Sequence, residues 1–169
     1  MRNLVGAFLV ALAACGSTED SAVSSGAVSC DSVQQPTTYD CPLIRACPDV
    51  VYTAGNMGTT GGGSPPDAID VAAARCTLTA MRDGTPGYLM LRAVIDRGDN
   101  DFAVAWWIQK DGTAVVRYAQ FGFRYTHAKL QPRSYFDSCL ASSDATELKA
   151  CLRGSWAKDA CYPDYPCGT

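Results

Sequence analysis

The 169-residue chain has one histidine, no cluster of lysines or arginines and no long hydrophobic run in its body. A lone histidine cannot make a His-rich metal centre. A formal charge of −3 with a pI near 5.0, its cations dispersed, gives no long-range pull on polyanions, which excludes nucleic acid as a partner. No two cysteines stand as Cys-x-x-Cys, so neither a zinc ribbon nor a thioredoxin-type redox pair is supported. Gly-x-Ser-x-Gly is missing, and the glycine-rich stretch from Gly55 to Pro66 lacks the Gly-Lys-Ser/Thr ending of a phosphate-binding loop. No cofactor site is therefore expected. What the chain does have is nine cysteines, far more than a cytosolic domain of this size carries.

The amino terminus runs Met-Arg-Asn, then apolar from Leu4 to Ala14, then Cys15. That run is about half of the ~20 residues a membrane-crossing helix needs, which is the form of a signal-peptide core. Its end, Leu12-Ala13-Ala14-Cys15, resembles the lipobox of bacterial lipoproteins. The resemblance implies removal of residues 1–14, lipidation of Cys15 and anchoring of the exported chain to a membrane by its lipid. Several acyl chains hold firmly where one alone binds only marginally. Gly16, rather than Asp, after that cysteine implies delivery to the outer membrane. Plain cleavage after the Ala-Ala pair, releasing a soluble protein, is the competing expectation.

With Cys15 set aside, Cys30, Cys41, Cys47, Cys76, Cys139, Cys151, Cys161 and Cys167 form an even set, read as four disulfides. Eight cysteines allow 105 pairings, and spacing does not choose among them. Cys161 and Cys167 lie in a Pro-rich tail without helix or strand signal and are expected to staple it down. Residues 15–29 are small and polar, a flexible tether, so residues 30–169 form one disulfide-stabilised globular domain.

Within that domain a short strand is expected at Val50 to Thr53 and a helix at Asp67 to Asp83, opened by Pro66 and closed by Gly84. Its inward stripe is expected to be Ile69, Ala72, Ala73, Cys76 and Ala80, with Asp70, Ala74 and Thr77 opposite and cover on more than one side. A meander follows at Tyr88–Asp96, Asp101–Gln109 and Thr113–Phe121, joined by Arg97-Gly-Asp-Asn100 and Lys110-Asp-Gly112. A four-residue first loop would pair Leu91 with Trp106 and Leu89 with Ile108. A glycine bulge in the second would set Val116 opposite Trp106 and keep Arg117 off the core face, sparing an unpaired buried guanidinium. The core face is then Leu89, Leu91, Ala93, Ile95, Phe102, Val104, Trp106, Ile108, Val116 and Tyr118. Gly122 bends the last strand, Phe123–Lys129 continues it, and Ser134–Ala141 and Ala145–Arg153 follow as short helices with capping boxes at Ser134/Asp137 and Asp144/Glu147. The expected fold is α+β: an antiparallel three- to four-stranded meander, one main helix packed on it and a disulfide-rich periphery. Helix before meander is the order of the cystatin-like arrangement, without any cystatin inhibitory motif.

Adjacent Trp106 and Trp107 must point to opposite faces. Trp107, with Arg92 and Arg117 beside it, makes either a binding face or a surface closed by the cysteine-rich amino-terminal segment, and closure is the commoner arrangement. His127, near Ser134 and Asp137, is the residue a small hydrolase would use, yet no nucleophile context surrounds it. Asp96, Asp99 and Asp101 cluster in a turn where solvated acids are ordinary, and Asp99, Asn100 and Asp101 are too few ligands for calcium. Arg97-Gly98-Asp99 reads as turn chemistry rather than an adhesion tripeptide. The expectation is a lipid-anchored envelope protein whose domain is a non-catalytic binding or structural module. A small envelope hydrolase using His127 is the alternative.

Overall fold

The computed structural model describes residues 28–30, 35–54, 68–95, 102–118 and 124–167. The expected signal peptide, most of the tether, the loops at 55–66 and 97–100, the three turn aspartates, Gly122 and Cys15 lie outside them. The described chain forms one seven-stranded mixed sheet and three short helices. In chain order these are β1 (Val50–Ala54), β2 (Ala68–Ile69), α1 (Val71–Arg82), β3 (Gly87–Ile95), β4 (Phe102–Ile108), β5 (Thr113–Tyr118), β6 (Arg124–Leu130), α2 (Arg133–Ala141), α3 (Ala145–Arg153) and β7 (Trp156–Tyr162). The sheet order is β2-β1-β3-β4-β5-β6-β7, with β1 parallel to β3 and every other ladder antiparallel.

This corrects the expected three- to four-stranded meander with one main helix. The meander is only the middle of the sheet. The short strand expected at Val50 to Thr53 runs to Ala54 and joins alongside β3, with α1 as the crossover that parallel neighbours require. Cys161, expected in a tail without helix or strand signal, belongs to β7, an edge strand on β6. Lys158 and Asp159 spoil its apolar alternation, and a register irregularity between Ala128 and Leu130 accommodates it.

The expected helix start is also corrected. Asp70 is the N-cap, its carboxylate accepting from the Ala73 amide at 3.0 Å, and Ala68–Ile69 instead pair with β1. Gly84 takes its left-handed role at φ +61°. The inward face differs from the expected stripe: Ala74, Thr77 and Leu78 are buried and Ala72 is exposed. The cause is tertiary, since α1 packs against both α2 and α3 as well as the sheet. α3 is capped by Asp144, which accepts from the Glu147 amide, whereas α2 begins after Pro132 with no side-chain cap and leaves Ser134 exposed.

The second hairpin follows its local chemistry. Gly112 sits at φ +79°, Val116 pairs with Trp106 and Tyr118 with Val104. The first does not, because Leu91 pairs with Val104 and Leu89 with Trp106, two residues from the expected register. A slip of two preserves faces, so six of the expected core residues keep their place; Tyr118 is half-buried, and the side chains of Ala93, Ile95 and Phe102 lie outside what the structure describes. Leu89, Leu91, Val104, Trp106, Ile108 and Val116 are all buried beneath the helices, with Leu78, Phe136, Leu148 and Leu152 facing them.

All eight expected cysteines are paired: Cys30–Cys161, Cys41–Cys167, Cys47–Cys76 and Cys139–Cys151. The amino-terminal segment uses the first three. Val28 exchanges backbone hydrogen bonds with Cys161 at the β7 edge, and the chain bridges to Tyr88 through Arg45 before entering β1. Where it crosses the start of β3, Gly87 is buried. A Cβ there would lie 2.8 Å from the Ala46 methyl and 3.0 Å from the Ile44 carbonyl oxygen. Gly87→Ala is therefore expected to destabilise the domain by about 1–3 kcal/mol through overpacking, read as a lowered Tm in a thermal melt.

Candidate functional site

Cross-strand registry places Trp107, Arg92 and Arg117 on the sheet face away from the helices. There Tyr88, Trp107, Val115, His127 and Tyr162 form one row across five strands. Trp107 is 8 % exposed. Tyr39 closes it edge-on at a centroid distance of 5.3 Å, with Tyr88 at 5.1 Å and Tyr125 at 5.8 Å completing the enclosure. Tyr39 is held in turn by donating its hydroxyl to the Pro166 carbonyl, and burial raises its phenol above the ordinary value. Tyr165 donates to the Tyr125 carbonyl and is raised for the same reason. The amino-terminal segment thus closes this face over Trp107. Arg92 is exposed and Arg117 half-buried on it.

His127 is 3 % exposed in the same layer. Its Nδ1 lies 2.8 Å from the Asp164 carbonyl, which can only accept, so Nδ1 carries its hydrogen. Its Nε2 lies 2.7 Å from the Thr113 hydroxyl oxygen, which itself lies 2.7 Å from an Asp111 carboxylate oxygen. Both ring nitrogens are engaged, and Thr113 is itself only 6 % exposed. Ser134 and Asp137 are not brought to it, because α2 packs on the opposite face of the sheet. The geometry is that of a strap: the imidazole ties the carboxyl-terminal segment to β5.

A concave feature that combines aromatic and cationic side chains lies on the helix side, where the cover stops at the end of α3. Tyr118 of β5, Arg153 at the last turn of α3, and Trp156 and Lys158 of β7 line a groove of about 380 Å³. Tyr118 and Trp156 are half-buried and rooted in the core, the latter 6.5 Å from the Trp106 ring. Arg153 donates to the Tyr118 hydroxyl at 3.4 Å. Arg124, directly across the ladder from Tyr118, adds an exposed cation on that face. The chemistry offered is an aromatic floor with a cationic rim. Sequence reasoning missed the groove because Trp156 and Lys158 share a face only once β7 is recognised as a strand. The weak signal was their i, i+2 spacing. Among the described residues no His/Cys/Asp/Glu cluster could hold a metal ion, and no helix is long and apolar enough to cross a membrane.

The cover and the strap have separable consequences. The double variant Cys41→Ala/Cys167→Ala opens a loop spanning 126 residues. It is expected to lose up to about 5 kcal/mol by the chain-entropy account and to leave tryptophan fluorescence more readily quenched by acrylamide, an increase absent when Trp107→Phe is added. His127→Ala leaves the Thr113 hydroxyl without its ring partner and a void in the layer, for an expected loss of about 2–4 kcal/mol in denaturant titration. No protein-family model matches this chain, and neither does any curated protein or any solved structure.

Proposed function

We propose that the protein is an exported lipoprotein of the bacterial envelope, held by a lipid on Cys15, whose domain acts as a non-catalytic binding module for an envelope component. The observation that carries this reading is the cysteine pairing. Eight of the nine cysteines are consumed in four mutual disulfides, so Cys15 has no partner left within its own chain. Disulfides of this number belong to an oxidising compartment outside the cytosol. A leftover cysteine at the end of a signal-peptide-like run, following Leu12-Ala13-Ala14, fits a lipid acceptor. Gly16 favours the outer membrane over retention at the inner one. The binding reading is supported by the aromatic and cationic groove at the end of α3, a concavity of the size small-ligand sites have.

The test is the intact mass of protein extracted from membranes and alkylated without reduction, set beside a reduced and alkylated sample. Acyl mass on a chain beginning at Cys15, with no alkylation before reduction and eight additions after it, is the expected result. An unlipidated chain, or one alkylated before reduction, overturns the reading.

A further inference from the structure

We propose that the groove formed by Tyr118, Trp156, Arg153 and Lys158 binds the ring of an acidic sugar, a saccharide unit bearing a carboxylate. This rests on the binding reading above and names the ligand class of the same site. The floor is two aromatic rings half-buried at fixed positions, and the rim is charged. A pyranose is complementary to such a surface. Its C–H face is apolar and packs on an aromatic ring, while its edge is polar all round and needs a wet, open rim. An acyl chain or a purely apolar ligand would leave that rim unused.

The charge on the ligand follows from the rim. Arg153, Lys158 and the neighbouring Arg124 are all exposed and come from three different elements, in a chain whose formal net charge is −3. Among the described residues, Lys158 and Arg124 make no ion pair with a carboxylate. Local charge therefore opposes the global sign, which favours an anion at this place rather than over the whole surface. A monoanion suits it better than a phosphate dianion. Arg153 is the last residue of α3, so that helix presents its negative end to the groove, and the lining offers side chains rather than the backbone amides that cradle phosphate. The guanidinium fork of Arg153 matches a carboxylate's two oxygens. A bilayer surface would need aromatic side chains that protrude; Trp156 is recessed.

The test is isothermal titration calorimetry on the full-length protein extracted in detergent, its mass measured on the same preparation. Trigalacturonate is the probe, against maltotriose, glucose 6-phosphate and phosphatidylglycerol vesicles. Saturable binding of trigalacturonate, weakened by salt, is expected. Arg153→Ala or Lys158→Glu should weaken it about tenfold or more through loss of a charge-assisted contact, and Lys158→Glu, at an exposed position, should do so without lowering Tm. Because Lys158 lies at the surface, this variant tests the site even if changes at Trp156 disturb folding. Equal binding of maltotriose, preference for glucose 6-phosphate, binding to vesicles in place of the sugar, or indifference to Lys158→Glu would each overturn the assignment. No binding of trigalacturonate by protein whose mass shows acyl chains and closed disulfides overturns the groove's ligand and leaves the anchoring intact.

Discussion

Everything in this fold depends on covering a sheet whose two faces are both apolar. β4 states the problem in two residues, because Trp106 and Trp107 put an indole on each side of the same strand. One side is covered by three helices in the ordinary way. The other is covered by a segment, residues 35–47, with no helix or named strand of its own. Irregular backbone has few internal hydrogen bonds with which to hold its position. Here it is fixed at points by Cys41–Cys167, by the crossing at Gly87 and by the hydroxyl of Tyr39.

The covalent pattern matches that need. Cys30–Cys161 and Cys41–Cys167 each join the amino-terminal segment to the carboxyl-terminal end, across sequence separations of 131 and 126 residues. Long closures remove the most freedom from the unfolded chain. They also hold together two segments that pack mainly against the sheet and each other. The His127 strap acts alongside them, tying Asp164 to the start of β5 through Thr113. The amino- and carboxyl-terminal segments are thus clamped to each other, while the groove at the end of α3 lies on the helix side of the sheet.

How much was legible can be argued from particular residues. The Lys110-Asp-Gly112 turn fixed the β4–β5 register because a glycine at positive φ and the avoidance of a buried Arg117 act locally. The β3–β4 register was read two residues off because nothing local sets where a longer loop closes; face alternation survived because its period is two. β7 was illegible: Lys158 and Asp159 interrupt its apolar pattern, and it is a strand because β6 and the Val28 bridge pair with it. The groove was lost with it, since Trp156 and Lys158 belong to that strand.

By itself, then, the chain's order of residues determined what depends on neighbours a few positions away: which face each meander residue takes, the Asp144 cap of α3, the left-handed glycines at 84 and 112, and an even set of eight cysteines beyond Cys15. Tertiary structure alone decided which cysteine meets which, how α1 is rotated under two other helices, whether Trp107 is open or closed, and that Tyr118 and Trp156 share a groove. The division has one physical reason. Periodicity and caps are set by forces that act within a turn or two, whereas pairing across more than a hundred residues is chosen by the packing of the whole chain.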